Sequence, residues 1–254
     1  MKALNIISTM MVMVTVLLFS LPAHASKMDA LIEASAKQSY IFKTYLKKDD
    51  IKIKSKDGAV ILTGTVTENF HKSLAQETVS GLPGVKSVDN RLETKDTPPV
   101  ANSDVWLRDK VKITLSFHSS VSAFTTEVDV KEGVVTLRGI ATSMAQKELT
   151  TEYAKDVEGV KDVNNEMTVS ETVKKPRTAR TVGEKIDDSS ITAQVKMTLL
   201  FHRSTSAIYT TVKTKRGVVT LVGLAKNKTE KDLASKFASD VKGVKKVVNL
   251  MTIE

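Results

Sequence analysis

Gly133-Val134-Val135-Thr136-Leu137-Arg138-Gly139 is followed, 20 residues after its second glycine, by Gly159-Val160-Lys161-Asp162-Val163-Asn164-Asn165. The pair returns at the same spacing as Gly217-Val218-Val219-Thr220-Leu221-Val222-Gly223 and Gly243-Val244-Lys245-Lys246-Val247-Val248-Asn249. A looser copy stands upstream as Gly58-Ala59-Val60-Ile61-Leu62-Thr63-Gly64 and Gly84-Val85-Lys86-Ser87-Val88-Asp89-Asn90. No gap is needed, so the chain holds three copies of one unit, at 29–95, 103–170 and 187–254. Self-similarity in fixed register marks a repeated supersecondary module.

Working outward from the glycines gives the module. Leu107, Val111 and Leu115 recur every four residues, as do Ile191, Val195 and Leu199, and Ile32, Ala36 and Tyr40. That spacing predicts a helix with one buried stripe. Asp29, Asp104 and Asp188 stand at its start, where a carboxylate can accept from the free amides of the first turn, and are expected to cap it. Thr126, Val128 and Val130 then alternate up to Glu132-Gly133, beyond which Val135 and Leu137 alternate. Two strands joined by a tight turn follow, with Gly58, Gly133 and Gly217 supplying positive φ. Gly64, Gly139 and Gly223 are expected where the chain bends closely into a second helix. This helix carries Leu149, Tyr153, Ala154 and Val157, or Leu233, Phe237, Ala238 and Val241, and is expected to end at its C-terminal glycine, Gly159 or Gly243. The aligned glycine of the first copy is Gly84. A last strand points Asn90, Asn165 and Asn249 toward the apolar face. A buried amide must be hydrogen-bonded, and a nearby loop backbone is the expected partner. The class is α+β: three tandem α-β-β-α-β domains, each a three-stranded mixed sheet with two helices on one face.

The N-terminus reads as an address. Lys2, an apolar run from Met10 to Leu21 and then Ala23-His24-Ala25 form a secretory pattern, so 1–25 is expected to be a signal peptide cleaved before Ser26. Export to the periplasm follows. No later segment approaches the roughly 20 apolar residues of a membrane-spanning helix. With no cysteine in 254 residues, disulfides, thiolate metal sites and a lipid-modified cysteine are excluded. Between the copies lie a short proline-stiffened joint, 96–102, and a longer basic linker, 171–186, with Lys174, Lys175, Arg177, Arg180 and Lys185.

Nothing here reads as an active site, so the expectation is no enzyme, no cofactor and no metal. The glycines lack the Lys-Ser/Thr pair of a phosphate loop. His118 and His202 occupy equivalent positions after Phe117 and Phe201 and read as loop residues following the first helix. His71 stands alone. Net charge is +9, and the third copy, with 12 basic and 5 acidic residues over 188–254, is the most basic. Export and an aromatic content of 5% argue against nucleic acid, leaving an anionic phospholipid surface or envelope proteins as partners. Trp106 among Arg108, Lys110 and Lys112 resembles an interfacial anchor, against the commoner arrangement in which such a ring caps the edge of the core. Lys228, Lys231 and Lys242 fall along one side of the second helix and, with Lys174, Lys175 and Arg177, make the expected membrane contact. The outward positions of the third sheet, Val218, Thr220, Val222, Val248 and Leu250, are apolar and are expected to be covered by a neighbouring unit or by self-association.

Gly-Val-Val-Thr-Leu-x-Gly followed by Val-x-Gly-Val-Lys-x-Val-x-Asn, as at 133–139 and 157–165, resembles the BON domain family. The resemblance implies the α-β-β-α-β fold and a periplasmic home shared with osmotically inducible members. It also implies a binding role at phospholipid membranes, or chaperone-like handling of envelope proteins. It brings no catalytic residues.

Overall fold

The computed structural model describes residues 22–95, 100–170, 185–205 and 210–254, with side chains from residue 27 onward. Most of the expected signal peptide, and Lys174, Lys175, Arg177 and Arg180 of the basic linker, lie outside the described residues.

Unit one runs α1 (Pro22–Gln38), α2 (Tyr40–Thr44), β1 (Asp50–Lys56), β2 (Ala59–Val66), α3 (Asn69–Ser80) and β3 (Ser87–Thr94). Unit two runs α4 (Asp104–Phe117), β4 (Thr126–Lys131), β5 (Val134–Ala141), α5 (Met144–Lys155), β6 (Asp162–Asn165) and β7 (Thr168–Val169). Unit three repeats this as α6 (Asp188–Phe201), β8 (Thr210–Lys215), β9 (Val218–Ala225), α7 (Lys228–Asp240), β10 (Lys246–Asn249) and β11 (Thr252–Ile253). In each, an antiparallel hairpin gives the central strand, and the last strand joins its other edge in parallel. The fold is α+β throughout. In unit one the first helix breaks at Ser39, whose hydroxyl accepts from the Phe42 amide, leaving Tyr40 half-buried and Ile41 in the core. Among the described residues no helix is long and apolar enough to cross a membrane.

Both central residues of each hairpin turn have positive φ, for example 54° at Glu132 and 83° at Gly133. This is the two-residue turn whose twist suits a hairpin. The aspartates do not cap helices. Ser103 and Asp187 are the caps of α4 and α6, accepting from Trp106 and Ser190. Asp104 and Asp188, one residue further on, reach across to the turn: Asp104 accepts from the amides of Glu132 and Gly133 at 2.7 and 2.9 Å. Asp29 does the same for Asp57 and Gly58 at 2.8 and 3.0 Å.

The other glycines also act differently from expectation. Gly139 is not a bend into the next helix but a residue of β5, at φ 116°, where a Cβ would sit 1.9 Å from the Thr125 carbonyl oxygen. Gly159 and Gly243 do not end helices either; α5 stops at Lys155 and α7 at Asp240. They sit in the following turn at φ 99° and 89°, pressed against Leu107 and Ile191 of their own unit's first helix. The asparagines tie the last strand to the second helix rather than to a loop. Asn165 Nδ2 donates to the Lys147 carbonyl at 2.9 Å and to Thr151 Oγ1 at 2.7 Å, and its Oδ1 accepts from the Met167 amide at 3.0 Å. Asn90 and Asn249 repeat all but the identity of the second acceptor.

The first helices of units two and three carry two buried faces, not one. Leu107, Val111 and Leu115 of α4 face their own sheet, as do Ile191, Val195 and Leu199 of α6, and the two units share one core. On the far side, Ile113 and Phe117 of α4 and Ala193, Met197 and Phe201 of α6 enter the core of unit one. A helix that is apolar all round is one that is covered all round. Asp187 secures the junction by accepting from the Tyr40 amide at 2.8 Å as well as from the Ser190 amide at 2.9 Å. At the next turn, Gly81 brings α3 within contact of Ser189.

Candidate functional site

Units two and three meet through equivalent segments. The Ser119 amide donates to the Asp240 carbonyl at 2.8 Å and Lys242 to Phe117 at 3.0 Å; reciprocally, Arg203 donates to Asp156 at 2.8 Å and Glu158 to Phe201 at 2.9 Å. Each partner stands 84 residues from its counterpart, so the contact has approximate two-fold symmetry. On the axis lie His118 and His202, Nε2 to Nε2 at 3.3 Å and with 0% and 1% exposure. His118 stacks on Tyr153 at 3.9 Å and His202 on Phe237 at 4.1 Å. His202 Nδ1 lies 3.0 Å from Asp156 Oδ2, in hydrogen-bond geometry. His118 Nδ1 lies 3.2 Å from Asp240 Oδ2 but off the line of a hydrogen bond. Burial acts to raise the Asp240 carboxyl, yet the nearby His118 ring and donation from Ser120, Ser119 and Tyr153 hold it well below the usual carboxylate range. Burial lowers the His118 ring, with Asp240 opposing and His202 adding to the fall. The histidines are therefore core groups of a joint, not loop residues. The sequence carried a signal: unit one has Lys43 and Gly81 at the aligned positions, so His and Asp occur together only in the two units that meet here.

The expected membrane contact on the second helix is dispersed. Lys228 is exposed. Lys231 turns inward to donate to the Met251 carbonyl at 2.5 Å. Lys242 lies beyond α7, donating to the Ser116 carbonyl of unit two at 2.6 Å, with burial lowering its ammonium. Around Trp106, Lys112 is exposed, whereas Arg108 pairs with Asp109 at 3.0 Å. Lys110 is 5% exposed and donates to the Glu158 carbonyl at 3.2 Å, its ammonium 4.6 Å from the Trp106 ring centre. The ring itself is half-buried beside a hollow of about 190 Å³ between the units, with Phe70, Leu200 and Phe201. At its rim, burial and the Asp109 carboxylate push Glu68 up to about 7. A second hollow of about 300 Å³ continues between α3 and α6 past Ser73, Met197 and Leu200.

The outer face of the third sheet is open: Leu250 is 58% and Val222 45% exposed. Among the described residues, no neighbouring unit covers these two side chains. The strand register sets Lys213 and Lys215 beside Thr220 and Val218 on one edge, and Lys246 and Val248 on the other. In unit two the positions of Lys213, Lys246 and Leu250 are held by Asp129, Asp162 and Glu166, so its corresponding face is acidic. Among the described residues, no three His, Asp or Glu side chains converge as metal ligands.

The BON domain family matches residues 28–96, 103–171 and 187–254. Osmotically-inducible protein Y of Escherichia coli is 30% identical over 143 residues, which span 55% of this chain and 71% of that protein. Outer membrane lipoprotein DolP of Haemophilus influenzae is 32% identical over 118 residues, 46% of this chain and 57% of that one. Among solved structures, CdsD, a structural protein of the type III secretion system of Chlamydia trachomatis, is 17% identical, covering 88% of this chain and 90% of its own, at a TM-score of 0.23.

Proposed function

This chain belongs to the BON domain family, and from that premise we propose that it is a non-enzymatic protein of the bacterial envelope, exported to the periplasm, that binds anionic phospholipid surfaces. The osmotically inducible relative supports a role in osmotic stress. The observation that carries the lipid reading is the outer sheet face of unit three, where Lys213, Lys215 and Lys246 border exposed Val222 and Leu250. Cations around an apolar centre suit a headgroup layer over acyl chains. A basic side chain near such a surface is worth about 1 kcal/mol at best, so three give reversible binding that salt weakens.

Co-sedimentation of the full chain with phosphatidylglycerol and with phosphatidylcholine vesicles tests this. Binding is expected only to the anionic vesicles, and Lys213→Glu with Lys246→Glu should weaken it by at least about tenfold, the equivalent of 1.4 kcal/mol. Equal binding by the variant, or equal binding to both lipids, defeats the reading. The partly apolar hollows beside α3 and α6, with Phe70, Met197, Leu200 and Phe201 in their walls, favour a second reading, chaperone-like holding of unfolded envelope proteins. That activity would suppress client aggregation without vesicles and would tolerate salt.

A further inference from the structure

We propose that the joint between units two and three is a proton-operated clasp, closed while His118 and His202 are neutral or share one added proton, and opened in acid when both rings are charged.

The argument is a count of protons along the chain Asp240–His118–His202–Asp156. A neutral imidazole has one N–H and one bare nitrogen. With His202 Nδ1 donating to Asp156, its Nε2 is bare and accepts from His118 Nε2–H across the 3.3 Å contact. That leaves His118 Nδ1 bare at 3.2 Å from Asp240, where one further proton would form an ion pair. The next proton has only His202 Nε2 to go to. It would set two Nε2–H groups nose to nose, with no acceptor for the second among the described residues, at rings that are 0% and 1% exposed. Once the joint opens, each ring is free of the other and can take its own proton. The closed joint therefore binds one proton fewer than the open one in acid, and by linkage acid favours opening.

The other groups around the pair do not relieve this. Lys242, near His118, is itself cationic, and Arg203 donates its guanidinium to the carbonyls of Val157 and Val160. The Tyr153 hydroxyl donates to Asp240 at 2.8 Å, and Ser204 donates to Asp156. Both carboxylates are thus already committed, and Phe237 offers only a ring face. Opening would uncover that ring and Tyr153 together.

The test uses the full chain carrying Glu148→Cys and Asp232→Cys, equivalent exposed positions on α5 and α7 in a protein with no native cysteine. Spin labels there report the distance between units, while imidazole signals of His118 and His202 are followed by NMR from neutral pH into acid. The two rings are expected to titrate as a coupled pair, in two separate steps. Distances should stay short through the first step and lengthen with the second. The clasp is refuted if the rings titrate independently near the ordinary value, or if both become charged without separation of the labels. His118→Gln with His202→Gln should remove the acid opening; opening at an unchanged pH in that variant also refutes it. Titrations repeated with a chelator and with added zinc or copper(I) cover the remaining case: loss of docking on chelation would make the joint metal-held and overturn the proposal.

Discussion

Asp188 holds the turn that contains Gly217: its Oδ1 accepts from the Gly217 amide at 2.8 Å and its Oδ2 from the Arg216 amide at 2.6 Å. The bond joins the first turn of α6 to the far end of the β8–β9 hairpin, so it fixes the angle between helix and sheet. Asp188→Ala leaves two turn amides to half-exposed surroundings and is expected to destabilise the protein by about 1–2 kcal/mol. Asp188→Asn keeps an acceptor and should cost less. Urea midpoints of the two variants check this; an Ala variant no weaker than the Asn variant would assign the residue to helix charge alone.

Gly139 and Gly133 separate two demands that look alike in the sequence. A Cβ at Gly133 meets only the flexible Lys161 side chain at 3.1 Å, whereas at Gly139 it meets the Thr125 carbonyl oxygen at 1.9 Å. Gly133→Ala should cost about 1 kcal/mol of left-handed backbone strain. Gly139→Ala must displace the entry to β4 and should cost about 3 kcal/mol, at the upper end for overpacked cores. Thermal midpoints measured side by side would show the gap, and equal losses would contradict it.

Unit one should carry its own acid sensitivity. His71 is buried and lies 2.7 Å from Asp49, and burial lowers its ring below the ordinary value while Asp49 opposes. The folded state then binds fewer protons than the unfolded one in acid. This stabilising share is complete above the unfolded value of about 6.5 and is lost as pH falls toward the folded value. His71→Gln should flatten the fall in stability between pH 7.5 and pH 5 relative to the parent chain. An unaltered pH profile would remove His71 from the account.

Trp106 reports on where lipid contact occurs. Its ring faces the Lys110 ammonium and the hollow beside Phe70, remote in the fold from the β8–β9 face of unit three. Anionic vesicles should leave its emission wavelength unchanged even at saturation. A blue shift on adding vesicles would move the contact to the α4 end of the molecule.

The repeat and its internal chemistry were legible because they are local. Glycine spacing, the positive-φ turn and strand alternation involve residues that meet within one unit. The second stripe on α4 and α6 was harder to see. Ile113 with Phe117, and Met197 with Phe201, sit at helical spacing, yet only the docking of unit one explains why they are apolar. The same holds for Lys110 and Lys242, which look like surface cations in the sequence and are drawn into contacts between units by distant carbonyl groups. For Asp104, Asp188 and the asparagines the sequence supplies the right reason, a need to satisfy backbone groups, but not the partner. A partner 28 residues away across a turn, or 18 away on a helix, leaves no periodic trace.

The reciprocal bonding of units two and three carries a liability as well as strength. Because Ser119 takes Asp240 as Arg203 takes Asp156, unit three of a second molecule presents the same complementary surface as the chain's own. The chain passes from unit two to unit three through residues 171–184, which lie outside the described residues. Exchange of third units between two chains would reproduce every contact of the monomer in a swapped dimer, a low-cost route to association. The balance between the two forms would then depend on protein concentration and on the length of that tether.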